Sequence, residues 1–180
     1  ASDVYKRQVL DREELIFLFK NRGEEQASYL AELARKQAQK IYGKNIFPRG
    51  LIEFTNYCRN NCYYCGIQAS NKNICRYRLS IKQILSTCQN GYELGYRSFV
   101  LQGGEDPYYS DERMVSIVEQ IHQTYPDCAI TLSLGERSLE SYQKLHAAGG
   151  KRYLLRHETI SPALYQKLHP KKMSLEHRVQ

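Results

Sequence analysis

The chain has 180 residues, of which 42% are apolar and 25% charged, and this composition excludes a disordered or low-complexity chain. The 26 Lys and Arg residues outnumber the 19 Asp and Glu residues and give a net charge of +7, but the basic residues occur as scattered pairs and form no stripe. The longest apolar run, Leu15 to Phe19, has five residues where a membrane span needs about 20. We therefore expect one domain of ordinary size, with neither a nucleic-acid partner nor a membrane location.

The first part of the chain predicts a tail followed by two helices. Residues 1–10 show no periodicity and are predicted to be a disordered or artefactual tail. Residues 11–47 are predicted to form a helical preamble, in which Asp11 and Glu14 make a D-x-x-E capping box for the first helix. Apolar residues at helical spacing predict a second helix from about Glu24 to Tyr42, which Gly43 ends.

From residue 48 to residue 180, short apolar strands alternate with helices. The strands are predicted at residues 50–55, 97–102, 129–134 and 152–156. The helices between them are predicted to begin at Ser80, Asp111 and Ser138, with a short helix at residues 162–168 and a last one capped by Ser174. Such alternation indicates an α/β fold with parallel strands and right-handed crossovers.

Two architectures fit this alternation. A (β/α) barrel of the TIM type takes about 250 residues, so four strand–helix units would be the N-terminal half of one. An open doubly wound sheet would be complete at this length. We favour the truncated barrel, because the segments that suggest chemistry come directly after strands, on the face where a barrel collects its active site.

The loop after the first strand carries three cysteines at C-x3-C-x2-C spacing. This cysteine loop runs from Asn56 to Gly66 and contains Cys58, Cys62 and Cys65. Three thiolates can hold three irons of a 4Fe-4S cluster and leave the fourth iron open to another ligand. The alternatives are three unrelated thiols, or a zinc site without an obvious fourth ligand, since the nearest later His is His122.

The other cysteines suggest no second site. Cys88 lies on an apolar helix face and Cys128 at the start of a strand, where a thiol usually acts as a small apolar group. Cys75 lies in a polar loop and receives no role. Because no secretory signal pattern opens the sequence, we expect free thiols and a cytoplasmic location.

The cysteine triplet, with Tyr64 just before its third member, resembles the signature of the radical S-adenosylmethionine (SAM) superfamily. Further segments resemble the HydE family of FeFe-hydrogenase maturases, within the biotin-synthase-like group, from Asp11 to Arg178. These are RGLIEFTNYCRNNCYYCGI, RYRLS, FVLQGGEDPYY, AITLSLGE, RYLLRHET and KLHP.

The resemblance implies two cofactors, a 4Fe-4S cluster on the three cysteines and SAM bound at the open iron. An electron from the cluster would then cleave SAM to methionine and a 5'-deoxyadenosyl radical. The implied partners are an electron donor such as ferredoxin or flavodoxin, other hydrogenase maturases, and a small-molecule or organometallic substrate of anionic character.

The resemblance also assigns individual residues, although it identifies no catalytic side chain. The SAM-binding set comprises Tyr64, Gln102, Gly103, Gly104, Glu105, Ser133, Glu158 and Arg178. Thr131 and Arg156 are placed toward the substrate cavity, and Glu136 is a further polar candidate.

For three of these assignments the residues alone leave an ordinary structural role open. Gly-Gly-Glu-Asp-Pro is also common in turns, and Thr131 could simply bond to backbone. Arg156 and Glu158 could form an ion pair with each other, while His157 should point away from both.

Three functions therefore compete. The first is a radical SAM enzyme that helps to assemble the di-iron centre of FeFe-hydrogenase. The second is a related enzyme that acts on a small organic molecule, as in biotin or methylornithine synthesis. The third is a non-catalytic iron–sulfur or zinc-binding module.

Overall fold

The structure is a computed structural model that describes residues 10–180, so the predicted tail lies outside the described residues except for Leu10. The chain divides into two compact units, the first ending at Ile46 and the second running from Phe47 to Gln180. Among residues 10–180, no helix is both long enough and apolar enough to cross a membrane.

The described part of the first unit contains two helices, as predicted. Helix α1 spans Arg12–Lys20, and the Asp11 side chain accepts from the backbone of Glu14 while the Glu14 side chain accepts from the backbone of Asp11. Helix α2 spans Glu24–Tyr42 and ends at Gly43, whose φ of 62° lies in the left-handed region that glycine tolerates. The capping box and the C-terminal glycine thus set the ends of these helices.

The second unit is a parallel sheet whose strands alternate with helices. In chain order its elements are β1 (Gly50–Thr55), α3 (Ile81–Glu93), β2 (Ser98–Gly103), α4 (Asp111–Thr124), β3 (Ala129–Ser133), α5 (Leu139–Ala147), β4 (Gly150–Tyr153), α6 (Pro162–Leu168) and α7 (Leu175–Val179). The strands are all parallel and lie in the order β1-β2-β3-β4. In a doubly wound sheet the order in which the strands are added reverses partway along the sheet. The sequential order found here therefore confirms the barrel-type prediction and excludes the doubly wound alternative.

The two faces of the sheet differ in chemistry. One face presents Ile52, Phe54, Phe99, Leu101, Ile130 and Leu132, all buried against apolar residues of α3, α4 and α5. Neighbouring helices also contact each other, α3 with α4 and α4 with α5, as in the outer layer of a barrel. The alternate residues of the strands, among them Glu53, Gln102 and Ser133, lie on the opposite face, which leaves polar groups for the site.

The prediction that Asp111 caps α4 is wrong by one residue. The Ser110 side chain accepts from the backbone N–H of Arg113, and Asp111 is the first helical residue. The Asp111 carboxylate instead accepts from Arg137 at 2.6 Å and from Ser141 at 2.7 Å. Two adjacent residues could each cap the helix, and these partners from a distant segment decide between them.

The last predicted strand, residues 152–156, is also wrong in its bounds. Strand β4 begins at Gly150 and ends at Tyr153. The Leu154 N–H still donates to Leu132 O at 2.8 Å, after which the chain turns away from β3. Glu158 then has a φ of 65°, which a strand does not allow.

Candidate functional site

The polar residues that follow the strands meet in one cavity of about 230 Å³ at the carboxyl ends of the sheet. Its lining includes every residue predicted to bind the cluster or SAM, together with Arg156. These are Cys58, Cys62, Tyr64, Cys65, Gln102, Gly103, Gly104, Glu105, Ser133, Arg156, Glu158 and Arg178. Parallel strands bring their carboxyl ends to one edge, so segments 100 residues apart in sequence converge here.

Two predicted residues lie elsewhere. Thr131 is buried in β3 beside Val100 and Arg152, and it is not among the residues that line the cavity. Glu136 lines two neighbouring cavities, and its Oε1 lies 2.7 Å from Arg178 Nε. The Glu136 side chain therefore reaches the site through Arg178.

The three thiols of the cysteine loop are free, partly buried and close enough to influence one another. Burial raises the pKa of Cys62, and the neighbouring Cys58 and Cys65 thiols raise it further. Among residues 10–180, no three Cys, His, Asp or Glu side chains lie close enough together to hold one metal ion between them. In a 4Fe-4S cluster each thiolate binds a different iron, and three thiolates on one short loop are a donor set that fits such a cluster.

A single arginine ties the cysteine loop to the residues after it. The Arg76 guanidinium donates to four backbone carbonyls, those of Asn56, Ile67, Gln68 and Asn71. Arginine offers five N–H groups in a rigid fork, so one side chain satisfies several loop carbonyls at once. This arrangement closes the loop through hydrogen bonds of the chain itself.

A buried ion pair supports the base of the loop. Arg78 donates to Asp106 through Nε at 2.7 Å and through Nη2 at 2.9 Å, and the Thr55 hydroxyl donates to the same carboxylate at 2.8 Å. Burial would raise the pKa of Asp106, but the hydrogen bonds from Arg78 and Thr55 hold that pKa below its ordinary value. The Arg78 guanidinium also lies 3.9 Å from the ring centroid of Tyr57, within the cysteine loop. The pair thus joins β1, the cysteine loop and the loop after β2.

The end of α6 holds the other side of the cysteine loop. The Tyr63 N–H donates to Leu168 O at 2.9 Å, and the Tyr64 hydroxyl lies 3.3 Å from Nε2 of the buried His169. His169 Nδ1 lies 3.0 Å from Tyr165 O, a carbonyl that can only accept. Nδ1 therefore donates this hydrogen bond, which fixes the orientation of the ring beside the Tyr64 hydroxyl.

The loop after β2 packs directly on the cysteine loop, and glycine makes this possible. A Cβ on Gly104 would stand 2.1 Å from Tyr57 O and 2.7 Å from Cys58 Cβ. A Cβ on Gly135, whose φ is 77°, would stand 1.9 Å from Glu105 Cγ. A larger residue at position 104 would have to displace backbone, and one at position 135 would adopt a strained φ and displace the Glu105 side chain.

Glu105 collects positive groups from several segments. Arg59 Nε donates to Glu105 Oε2 at 3.1 Å, the Glu136 N–H donates to Glu105 Oε1 at 3.2 Å, and Arg178 Nη2 lies 3.5 Å from the same oxygen. The Glu105 and Arg178 side chains are only 10% and 7% exposed. A carboxylate and a guanidinium thus lie side by side at the cavity, where water screens them little.

On the far wall, Arg156 contacts a glutamine rather than Glu158. Arg156 Nη2 donates to Gln102 Oε1 at 3.1 Å, and Gln102 Nε2 donates to Glu53 Oε1 at 3.0 Å. No ion pair among the described residues joins Arg156 to Glu158, so the mutual pair considered from the sequence is not formed. Glu158 sits in a three-residue turn that the Thr159 N–H closes on His157 O, and its left-handed backbone marks local strain at the cavity.

Sequence reasoning missed the residues that shape the site from outside it, namely Arg76, Arg78, Asp106, His169 and Glu53. The alternating arginines of RYRLS and the acid after Gly-Gly-Glu were visible signals. The residues that they contact lie up to 105 positions away in the chain, as with Tyr64 and His169, and sequence spacing alone could not pair them.

Comparison with known proteins gives a consistent result. The sequence model of the Radical SAM superfamily matches residues 52–180. The chain is 44% identical over 141 residues to the FeFe hydrogenase maturase subunit HydE of Thermotoga maritima, a match that covers 78% of this chain and 40% of that protein. It is 32% identical over 161 residues to 3-methylornithine synthase of Methanosarcina acetivorans, which covers 88% of this chain and 45% of that protein.

A solved structure agrees with these sequence matches. The crystal structure of methylornithine synthase (PylB) superposes with a TM-score of 0.83 at 29% identity, over 99% of this chain and 52% of that one. The chain thus spans between two fifths and about half of the length of these relatives.

Proposed function

The chain belongs to the radical SAM superfamily, and from this premise we propose that it cleaves SAM reductively in the assembly of the di-iron centre of FeFe-hydrogenase. Members of the superfamily use a 4Fe-4S cluster and SAM, and here Cys58, Cys62 and Cys65 would hold the cluster. When bound, the cluster supplies the electron that breaks a carbon–sulfur bond of SAM. The observation that carries the proposal is the meeting of three free thiols with Glu105 and Arg178 in one cavity.

The ion pair at the cavity suits a zwitterionic ligand. SAM carries an ammonium and a carboxylate on one carbon, and Glu105 and Arg178 offer the two complementary charges 3.5 Å apart. Glu105 would accept from the ammonium and Arg178 would donate to the carboxylate, so one pair of opposite charges would exchange partners with another. Gly103 and Gly104 have no side chain to keep the ligand from the backbone.

The far wall of the cavity would take the substrate. Arg156 is an exposed cation that Gln102 orients, and a guanidinium can bind an anion through two parallel hydrogen bonds. This supports an anionic precursor that contains iron and sulfur as the substrate. Thr131, which the resemblance placed toward the substrate cavity, lies buried in β3 below this wall. The reaction needs an external electron donor such as ferredoxin or flavodoxin and a reducing compartment, so we infer a cytoplasmic location. A role in assembly of the di-iron centre would also bring the protein into contact with other maturases.

The second candidate is an enzyme that acts on a small organic molecule. It is favoured by the 32% identity to 3-methylornithine synthase and by the superposition on the PylB crystal structure. Both candidates share the cleavage of SAM and differ in the molecule on which the resulting radical acts.

Anaerobic reconstitution with iron and sulfide tests the shared step. We expect the protein to bind four irons and, when given dithionite and SAM, to release 5'-deoxyadenosine and methionine. A preparation that takes up zinc but no iron would instead support the non-catalytic binding module and contradict both enzyme functions.

A maturation assay separates the two enzyme functions. The reconstituted holoprotein is added to an extract that lacks its HydE-type maturase but contains the apo-hydrogenase and the other maturases. Restored hydrogen evolution supports the hydrogenase role. SAM cleavage without restored hydrogenase activity would support the organic-substrate function instead.

A further inference from the structure

A second groove, of about 550 Å³, lies between the cysteine loop and the segment that joins α6 to α7. Arg59 and Asn60 line it on one side, and Lys172, Met173 and His177 on the other. The groove shares Glu105 with the first cavity, and the proposed cleavage of SAM gives no role to Arg59, Lys172 or Met173.

One side chain separates the groove from a cysteine of the triplet. Cys62 Sγ lies 3.9 Å from Met173 Sδ, and Met173 lines the groove. A molecule seated in the groove would therefore come within one side chain of the Cys62 sulfur. Because electron transfer slows steeply with distance, such a position is useful for reduction of a cluster.

The charges that the groove presents outward are basic. The Arg59 side chain is 58% exposed although its Nε donates to Glu105, Lys172 is exposed, and its chain neighbour Lys171, at the edge of the groove, is exposed too. The two acids of the groove are less accessible, since Glu105 is 10% exposed and Glu136 is 26% exposed, and both are paired with Arg178. The chain as a whole carries a net charge of +7, which adds to the attraction of an acidic partner.

We propose that this groove is the docking surface for an acidic one-electron carrier protein, which lies against Arg59, Lys171 and Lys172 and delivers its electron past Met173 toward Cys62. The carrier loses one electron and the cluster gains one for each SAM cleaved. This proposal rests on the proposed function, because only a bound cluster gives the electron a destination.

The test compares two reductants on the reconstituted holoprotein. The rate of 5'-deoxyadenosine release is measured with flavodoxin hydroquinone and, separately, with dithionite, and the Kd of flavodoxin for the protein is measured by isothermal titration calorimetry. Lys172→Glu reverses one charge in the groove, and Lys151→Glu reverses one charge in β4, at the opposite end of the sheet.

For Lys172→Glu we expect both the KM and the Kd for flavodoxin to rise about tenfold at low ionic strength, because charge steering of this kind changes association rates by roughly 10-fold or more. The effect should shrink at high salt, which screens exposed charges. The dithionite-driven rate of this variant and both rates of Lys151→Glu should match the wild type.

An unchanged KM for flavodoxin in the double variant Lys171→Glu/Lys172→Glu would overturn the docking proposal, and so would an equal rise in Lys151→Glu. A Lys172→Glu variant that also loses the dithionite-driven rate would overturn it too, because the lysine would then act on the site itself. If the wild type releases no 5'-deoxyadenosine with dithionite, the proposed function fails instead.

Discussion

The cysteine loop, residues 56–66, and the segment after β4, residues 154–158, line the same cavity but are held in different ways. Arg76 binds the carbonyls around the cysteine loop, the Arg78–Asp106 pair supports its base, and Leu168 and His169 hold its far side. The segment after β4 has left the sheet, and the contacts that position its polar end are Arg156 to Gln102 and the short turn at Glu158.

This difference separates two tasks. Thiols that must bind a cluster at defined positions benefit from a scaffold that fixes them beforehand, since ordering them on binding would cost conformational entropy. Side chains that meet a substrate can be oriented by the substrate itself. We therefore expect changes around the cysteine loop to affect stability and iron loading together, and a change at Arg156 to affect substrate use alone.

The largest effect should come from the triplet itself. Cys62→Ala removes one of three thiolates, and two thiolates cannot hold a cubane cluster firmly, so iron bound after anaerobic reconstitution should fall to background. Cys75→Ala is the matched control, because Cys75 is exposed and lies outside the triplet. Equal iron content in the two variants would contradict the assignment of the cluster to this loop.

Asp106→Asn should be the most destabilising change in the scaffold. It removes the charge that satisfies Arg78, at a site where the Asp106 side chain is 1% exposed. Removing one partner of a buried pair costs about 3–5 kcal/mol, and because Arg78 is 36% exposed and can rehydrate, we expect about 2–3 kcal/mol in urea unfolding.

The control for Asp106→Asn is Asp127→Asn, which breaks the exposed Arg97–Asp127 pair of 2.8 Å and should cost under about 1 kcal/mol. If the free energy of unfolding falls by the same amount in both variants, the Arg78–Asp106 pair does not support the cysteine loop as described.

Gly104→Ala tests the close packing of the two loops. The new Cβ would stand 2.1 Å from Tyr57 O, so the cysteine loop must move, at a cost of about 1–3 kcal/mol and with reduced iron loading. Gly66→Ala is the control, because a Cβ there meets nothing within 4 Å and should change stability by less than about 1 kcal/mol. A Gly104→Ala variant with wild-type iron content would show that the contact is dispensable.

Arg156→Lys should separate the two walls of the cavity. Lysine keeps the charge but cannot form two parallel hydrogen bonds, so we expect roughly tenfold less restored hydrogenase activity in the maturation assay. Stability should change by less than about 0.5 kcal/mol, and iron content should stay the same. Arg152→Lys, in β4, is the control; a loss of iron in Arg156→Lys alone would break the proposed division of tasks.

The smallest expected effect is on the pH dependence of stability. The pKa of Asp106 in the folded state lies below its ordinary value of 3.8, so its contribution is present above pH 3.8 and is lost as pH falls through the lower folded value. The difference in unfolding free energy between wild type and Asp106→Asn should therefore shrink below pH 3.8, as measured by urea unfolding at several pH values. A difference that stays constant down to about pH 2 would mean that folding does not lower the pKa of Asp106.

Local patterns predicted the elements that depend on local chemistry. The bounds of β1 and α2, and the caps at Asp11, Ser80, Ser138 and Ser174, follow from propensity and from side chains near in sequence. The cysteine triplet was also visible, since its members share one short loop. The resemblance then supplied Glu105, Glu158 and Arg178, which no spacing rule would have grouped.

What the sequence could not supply depends on distant partners. The sequence favours Asp111 as the cap of α4, but Arg137 and Ser141 from a distant segment bind its carboxylate and leave the cap to Ser110. The end of β4 depends on the last hydrogen bond that β3 accepts from it, at Leu132 O. The need for glycine at position 104 depends on the path of Tyr57 in another loop. These features are set by the register of the sheet, which sequence periodicity leaves undetermined.

The central claim is that three thiolates leave one iron of a 4Fe-4S cluster free for SAM. Electron paramagnetic resonance of the reconstituted, dithionite-reduced protein tests this most directly, with spectra taken before and after SAM is added. We predict the signal of a reduced 4Fe-4S cluster whose g-values shift when SAM is added, and no cluster signal in the Cys62→Ala variant. A cluster signal that SAM leaves unchanged in the wild type would contradict the claim, because the open iron would then be absent.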